Sequence, residues 1–311
     1  MLDLLAHRHE LRERLSVALS LAVFGGIYSN HLALRATLSD IARRGDHLAW
    51  CLGDLGGFGP EPERSAALMR ASGVPMLQGN YDHAIGNGLP DCGCGYTDPR
   101  DNAFAQASYD YTAARVSDDT RAWLRALPAQ ARLSIAGRRV LLCHGSPRQV
   151  NEFLWDSQCS DAFLAWLCDA HDADVIVCSH TGLHWQRALP GGRHVVNCGA
   201  IGRPAHDGSP RAWYAAIAFG EDALDVRFRA VDYDHEALAR EMEAGALPPE
   251  FVATIRTGWW TTCLENVPAR ERRGAISTPG RRPAVHPGAR PGASPVGRPG
   301  AHPGASLPPG A

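Results

Sequence analysis

The stretch LAVFGGIYSNHLALRATL, residues 21–38, begins the pattern that decides the fold. Its first residues are apolar and typical of a buried strand, and two glycines then indicate a sharp turn. The spacing of apolar residues after Asn30 predicts an amphipathic helix, which Asn30 is expected to cap. Turns that follow strands carry the functional residues of open α/β sheets. Residues 25–28, however, contain neither an acid nor a histidine.

The same strand–helix alternation continues along the first third of the chain. Strands are predicted at 19–26, 47–52 and 75–78, with helices at 32–44 and 61–71 between them. This order is typical of parallel strands joined by crossover helices. A looser region rich in Gly, Asp and Cys follows at 81–102. The pattern favours an α/β fold.

The second half of the chain is predicted to be more antiparallel, because several of its strands form hairpins. The predicted helices are 103–115, 119–127 and 162–170, and the predicted strands are 132–135, 139–143, 174–178, 186–189, 194–196, 212–219 and 223–231. Two mixed sheets with helices outside fit this order. We expect a helix within 1–18, one domain over 19–265, and a disordered Pro/Gly/Arg-rich tail over 266–311.

Charge and cysteine content limit the possible functions. The chain has a formal net charge of −2, but the segment from Arg270 onward carries +6 and the remainder −8. An acidic body argues against a broad nucleic-acid surface, so only weak contact through the basic tail is expected. No apolar run has the length of a membrane span, and no signal-peptide pattern opens the sequence. We therefore expect a cytoplasmic protein with reduced thiols.

Polar residues that could bind a metal follow the predicted strands. The stretches are AWCLGDLGGFGPEPE with Asp54, LQGNYDHAIG with Asn80, Asp82 and His83, VLLCHGSP with His144, and VIVCSHTGLHW with His180 and His184. Carboxylate, amide and imidazole groups are hard or borderline ligands that suit Mn, Fe or Zn. Any one of these residues has an ordinary structural explanation, as a helix cap or a hydrogen-bonded histidine. Their combined order is much more specific.

From about residue 19 to 234, the chain resembles the calcineurin-like metallophosphoesterases, and in particular their small bacterial members. Its GDLGGFGP (53–60) is similar to the GDxxxxGP segment of that family, and GNYD (79–82) to its GNHD. CHG (143–145), SHTG (179–182) and NCGAIGRP (197–204) resemble the later motifs. The resemblance implies a four-layer αββα sandwich of two mixed sheets flanked by helices.

The resemblance also implies a metal site. The family holds two metals, bridged by an aspartate that corresponds to Asp54. Asn80, His144 and His180 stand where the remaining ligands of one metal are expected. Positions 26, 28 and 182, where the other metal would take an Asp and two His, hold Gly26, Tyr28 and Gly182. One ligand set is complete and the other is missing, which favours a single metal and a divergent member that lacks the usual first-metal ligands.

Further residues are candidates for catalysis, for substrate binding or for a rebuilt second metal site. Tyr81 replaces the family histidine that protonates the leaving group, and a tyrosine is a weaker acid near neutral pH. The catalytic candidates are Asp54, Tyr81, Asp82, His83 and His184; the substrate-binding candidates are Asn30, Arg148 and Arg203; the possible extra metal ligands are Tyr28, Cys92 and Cys94.

Three functions remain open at this point. The first is a metal-dependent phosphatase or phosphodiesterase that hydrolyses a small phosphorylated substrate with metal-activated water. The second is a non-catalytic relative that binds a phosphate or nucleotide. The third is an enzyme whose second metal site has been rebuilt, so that one or two Mn, Fe or Zn ions are expected. The sequence leaves the oligomeric state open.

Overall fold

The computed structural model describes residues 19–46, 48–220 and 223–274. The predicted helix within 1–18 and the tail from 275 onward lie outside these residues. Nine strands are described: β1 Leu19–Phe24, β2 Leu48–Cys51, β3 Gln130–Ile135, β4 Arg138–Cys143, β5 Val175–Cys178, β6 His184–Ala188, β7 His194–Cys198, β8 Ala212–Phe219 and β9 Leu224–Val231. They form two mixed sheets, ordered β2-β1-β8-β9 and β3-β4-β5-β7-β6.

Eight α-helices accompany the strands in the described part of the chain. They are α1 His31–Arg44, α2 Pro62–Ser72, α3 Asn80–Asn87, α4 Pro99–Ala113, α5 Asp118–Ala126, α6 Asp161–Ala170, α7 His235–Ala244 and α8 Pro249–Thr257. None of the helices described here is long and apolar enough to cross a membrane.

Alternation of side chains along the strands creates the layers. In β1, Leu21 and Val23 point into the core between the two sheets, together with Val177 of β5. Ala22 and Phe24 point to the opposite face and pack against the helices of the first half. The outer face of the second sheet packs against α6. Because successive residues of a strand face opposite sides, two buried sheets give the predicted four-layer αββα sandwich, which is confirmed.

The strand pairing agrees with the predicted change from parallel to antiparallel. β1 pairs with β2 in parallel, and β4, β5 and β7 are parallel neighbours. β8 and β9 form an antiparallel hairpin that joins the edge of β1. The carboxyl ends of the parallel strands in both sheets therefore lie toward the same end of the sandwich, where site residues are expected.

Three local predictions differ from the structure. The predicted strand at 75–78 is reduced to one isolated bridge between Cys51 and Met76. The looser region predicted at 81–102 begins within α3, in which Gly86 lies directly against the backbone of Arg125, and its last residues belong to α4. The packed region also continues beyond the predicted boundary at 265, because the side chain of Glu271 is buried and accepts hydrogen bonds from Ser157.

Candidate metal centre

Three strand ends from two sheets bring the principal side chains together. Asp54 follows β2 of the first sheet, whereas His144 and His180 follow β4 and β5 of the second. Asp54 and His180 have left-handed backbone conformations, with φ of 60° and 66°. Non-glycine residues rarely adopt this conformation, and such strain is concentrated at functional sites. The conformation turns both side chains into the space between the sheet ends.

Two glycines allow the loop that carries Asp54 to touch the loop that precedes α3. A Cβ atom on Gly79 would lie 2.2 Å from Oδ1 of Asp54, and one on Gly53 would lie 2.4 Å from the backbone nitrogen of Gly79. Neither distance is compatible with a side chain. The glycines of the two motifs are thus required for the close approach of the loops.

The functional atoms of Asp54, His144 and His180 converge in a buried cluster. Nε2 of His144 lies 3.2 Å from Oδ2 of Asp54 and 3.2 Å from Nδ1 of His180. One ligand atom from each residue lies within 4.8 Å of the other two. Ligands about 2.0–2.2 Å from a common metal lie roughly 3.0–3.5 Å apart, so these separations fit a metal site.

A hydrogen bond to the backbone sets the tautomer of His144. Its Nδ1 lies 2.6 Å from the carbonyl oxygen of Leu52, an acceptor only, so Nδ1 carries the proton. When the ring is neutral, Nε2 therefore directs its lone pair at the cluster. Metal-binding histidines typically have this arrangement. The ring of Phe153 packs against His180, with their centroids 4.2 Å apart, and this contact restricts the orientation of the His180 imidazole.

The charges of the cluster are strongly coupled. Burial raises the pKa of Asp54, but the charge of His144 and its hydrogen bond outweigh this effect, and the pKa lies below its usual range. Burial lowers the pKa of His144, but Asp54 outweighs burial and raises it. Burial, followed by repulsion from His144, lowers the pKa of His180 to about 3. The ring of His180 is therefore neutral at physiological pH, the form in which an imidazole can bind a metal.

Asn80 begins α3 beside this cluster and is oriented by its neighbours. Its Nδ2 donates to the carbonyl of Cys92 at 2.8 Å and contacts Sγ of Cys94 at 3.5 Å. Its Oδ1 is buried and has no hydrogen-bond partner. Nε2 of His180 is buried and unpartnered as well. A buried acceptor without a hydrogen-bond partner is costly, and a bound cation would interact favourably with Oδ1 of Asn80.

The comparisons with known proteins agree with this geometry. A profile of the calcineurin-like phosphoesterase superfamily domain matches residues 19–219. The chain belongs to this superfamily. Its members typically bind divalent metals, and the acidic and imidazole groups described above fit such an ion.

Individual relatives support the assignment. An uncharacterised protein of Methanocaldococcus jannaschii is 25% identical over 244 residues, which cover 73% of this chain and 93% of that protein. The crystal structure of a metallophosphoesterase from Sphaerobacter thermophilus is 25% identical, with a TM-score of 0.60, and the match covers 78% of this chain and 99% of that one. A hypothetical protein from Pyrococcus horikoshii shares the fold at 20% identity, with a TM-score of 0.63 and the same coverage.

Of the predicted catalytic residues, Tyr81 and Asp82 lie next to Asp54. Tyr81 lines the same cavity as Asp54, and its hydroxyl donates to Ser108 at 3.0 Å. The carboxylate of Asp82 accepts hydrogen bonds from the backbone amides of Asp54, Leu55 and Gly79 at 2.7–2.9 Å. Asp82 therefore holds the two loops together.

The structure does not bring His83 and His184 to the cavity that Asp54 lines. His83 is exposed on α3 and lies 3.3 Å from Gln78 and Asn87 side-chain atoms. The ring of His184 is buried between Trp213 and Phe228, with centroid distances of 4.7 and 4.5 Å. His184 lies on β6, where it packs as part of the core. For His184 to reach the space beside Gly182, its ring would have to leave this aromatic environment.

The predicted substrate-binding residues occupy three different environments. Asn30 is fully buried and caps α1, because its Oδ1 accepts from the amide of Ala33 at 2.9 Å. Arg148 is half exposed and paired with Glu152. Arg203 is buried and lines the cavity that also contains Asp54 and His180. Of the three, only Arg203 lies in this cavity.

Two aromatic rings fill the positions at which the resemblance expects ligands for the other metal. A Cβ atom on Gly26 would lie 2.9 Å from Cζ of Tyr28, and one on Gly182 would lie 2.9 Å from Cη2 of Trp260. Burial, followed by the charge of Asp54, raises the pKa of Tyr28, which favours the neutral phenol. The contribution of Trp260 to this space could not be read from the sequence, because it comes from a distant segment.

Cys92 and Cys94, predicted as possible thiolate ligands, form a disulfide. Gly93 between them has φ of 64°, and this turn places the two Cα atoms 5.4 Å apart, within the range of bridged cysteines. The expectation that all thiols are reduced therefore differs from the structure at this pair. Bridged sulfurs lack the free thiolates that the predicted ligation requires.

Proposed function

We propose that the protein is a metal-dependent phosphoester hydrolase with one metal ion per chain. The buried convergence of Asp54, His144 and His180 carries this proposal. Asn80 completes the set with an amide oxygen. Two imidazoles, one carboxylate and one amide suit Mn, Fe(II) or Zn. An ion held there supplies Lewis acidity, which polarises a phosphoryl oxygen and lowers the pKa of water.

The residues of the chain position the reaction. The amide of Tyr81 donates to Oδ1 of Asp54 at 3.1 Å, which leaves Oδ2 directed at the cluster. Tyr81 remains protonated near neutral pH, because burial raises the pKa of its hydroxyl. Tyr81 and Tyr28 both line the cavity as neutral phenols; Tyr28 can donate to a leaving oxygen, and Tyr81 can do so when its hydroxyl turns away from Ser108.

The cavity favours a small substrate. It has a volume of about 90 Å³. Its lining includes the aromatic side chains of Phe58, Phe104 and Phe251. A small phosphate mono- or diester with an apolar alcohol group fits this environment. A cytoplasmic location, expected from the sequence, remains part of the proposal.

A non-catalytic phosphate-binding protein is the second candidate. The observation in its favour is the occupation of the space beside Gly26 and Gly182 by Tyr28 and Trp260. A chain that holds one metal and binds phosphate without turning it over would have the same geometry.

Metal-dependent hydrolysis decides between the two. The full chain is loaded with Mn, Fe(II) or Zn in separate samples and assayed with p-nitrophenyl phosphate and bis-p-nitrophenyl phosphate. We expect turnover that requires the metal and is lost in Asp54→Asn. Phosphate binding without turnover under every loading would favour the non-catalytic candidate.

A further inference from the structure

Arg203 is a buried cation without a carboxylate partner in the part of the chain that the structure describes. Its exposed fraction is 9%, and one terminal nitrogen donates to the carbonyl of Thr262 at 2.8 Å. Its Nε is buried and unpartnered. The charge of Asp101 acts on it, but the Asp101 carboxylate accepts from the amides of residues 263–265. An uncompensated buried charge is costly, which indicates an anionic ligand.

Aromatic rings fix the plane of this guanidinium. Its central carbon lies 3.9 Å from the centroid of the Trp260 ring and 5.1 Å from that of Phe58. Trp260 is itself held by its indole nitrogen, which donates to the carbonyl of Pro204 at 2.6 Å. Stacking orients a guanidinium and leaves its edge free for hydrogen bonds in the plane.

Arg203 lies next to both the cluster of Asp54, His144 and His180 and the space that Tyr28 and Trp260 fill. With Asp54, it lines the cavity described above. With Gly182 and Trp260, it lines an adjoining cavity. His180 and Tyr28 line both. The charge of Arg203 is therefore located between the proposed metal ligands and the positions that lack ligands.

We propose that the guanidinium of Arg203 takes the place of a second metal ion and binds the phosphate group of the substrate. This inference rests on the proposed function for the identity of the ligand, a phosphate mono- or diester. The planar N–H groups of the guanidinium can each donate to one of two oxygens of a phosphate group. The positive charge of Arg203 also neutralises part of the negative charge of the phosphate. Phosphate is thereby held between the metal ligands on one side and Arg203 on the other.

The test measures phosphate binding separately from turnover. Full-length protein loaded with Mn is titrated with inorganic phosphate by calorimetry, and its metal content is measured by elemental mass spectrometry. Arg203→Met removes the charge and preserves an apolar chain for stacking. Arg211→Met is the matched control, because Arg211 also lies over a tryptophan ring, that of Trp213, but is exposed and outside the cavity.

We expect Arg203→Met to weaken phosphate binding by about tenfold or more while the metal content stays at the wild-type value. Arg211→Met should bind phosphate as the wild type does. Arg203→Ala should regain phosphate binding when guanidinium ion is added at low millimolar concentration. Unchanged phosphate affinity in Arg203→Met, or equal losses in the control, would overturn the proposal.

A second measurement covers the case in which the Arg203 variants do not fold. The Nε–H resonance of Arg203, assigned by backbone-linked experiments on wild-type protein loaded with diamagnetic Zn, should shift when phosphate is added. An unmoved resonance overturns the inference. Phosphate binding through Arg203 without hydrolysis under any metal supports it and refutes the proposed function, so the two failures are distinguishable.

Discussion

Nδ1 of His144 donates a hydrogen bond to the carbonyl oxygen of Leu52, at 2.6 Å. Leu52 follows β2 of the first sheet and His144 follows β4 of the second, so this bond joins the two sheets at the site. It also places a ring proton on Nδ1 and leaves Nε2 facing Asp54, as the proposed metal site requires. Packing between the sheets and the chemistry of the site therefore depend on the same residue.

Replacing His144 by alanine should abolish metal binding. The ligand atom at the centre of the cluster is lost, and the carbonyl of Leu52 loses its donor. We expect one ion per chain in the wild type and a content near zero in His144→Ala, measured by elemental mass spectrometry after dialysis. His83→Ala is the control, because His83 is exposed and outside the cavity, and it should keep its metal. Two ions per wild-type chain would contradict the single-metal site.

Asp82→Ala should destabilise the fold as well as the metal site. The substitution leaves the buried amides of Asp54, Leu55 and Gly79 without their acceptor. An unsatisfied buried donor costs about 1–3 kcal/mol, so a loss of roughly 3 kcal/mol or more is expected. Urea unfolding measures this loss. Asp119→Asn, at an exposed ion pair with Arg70, should change the stability by less than about 0.5 kcal/mol. Similar losses in both variants would refute the positioning function of Asp82.

His184 should make the protein sensitive to acid. Burial lowers its pKa from 6.5 to about 4, so the folded state disfavours the charged ring. The unfolded chain binds more protons between these values, and stability is therefore complete above pH 6.5 and declines as the pH falls toward 4. The decline due to this residue is on the order of 3 kcal/mol.

His184→Phe isolates this contribution, because it keeps a ring between Trp213 and Phe228. The difference in free energy of unfolding between His184→Phe and the wild type should be constant above pH 6.5 and grow in favour of the variant below it. Urea unfolding at intervals from pH 7.5 to 4.5 measures it. A difference that does not vary with pH would show that His184 does not titrate in this range.

The clustering of the candidate metal ligands could be predicted because each of them follows a strand that the sequence pattern identifies. Asp54, His144 and His180 each come after an apolar run, and parallel strands bring their carboxyl ends to one edge. The same local reasoning missed α3, since Gly86 is unfavourable within a helix and is tolerated only because it lies against the backbone of Arg125.

The space at Gly26 and Gly182, where the resemblance expects ligands for a second metal, is filled through contacts between residues that are distant in the sequence. Gly182 indicates an absent ligand, but only the fold shows that Trp260 occupies the space beside it. Likewise, the sequence gives Arg203 no preference over Arg148. Their difference is one of environment: Arg203 is buried between aromatic rings, whereas Arg148 is paired with Glu152.

Opening the Cys92–Cys94 bridge should weaken metal binding through Asn80. The amide group of Asn80 is oriented by the carbonyl of Cys92 and the sulfur of Cys94, and this orientation directs Oδ1 away from the loop. Reduction, or Cys94→Ser, loosens the loop, and loss of such an outer contact typically costs about tenfold in metal affinity. Competition with a metal-chelating dye measures the dissociation constant with and without reductant. Cys168→Ser, at a free thiol in another core cluster, is the control for thiol loss, and it should leave that affinity unchanged. Equal affinity before and after reduction would show that the bridge does not support the ligand.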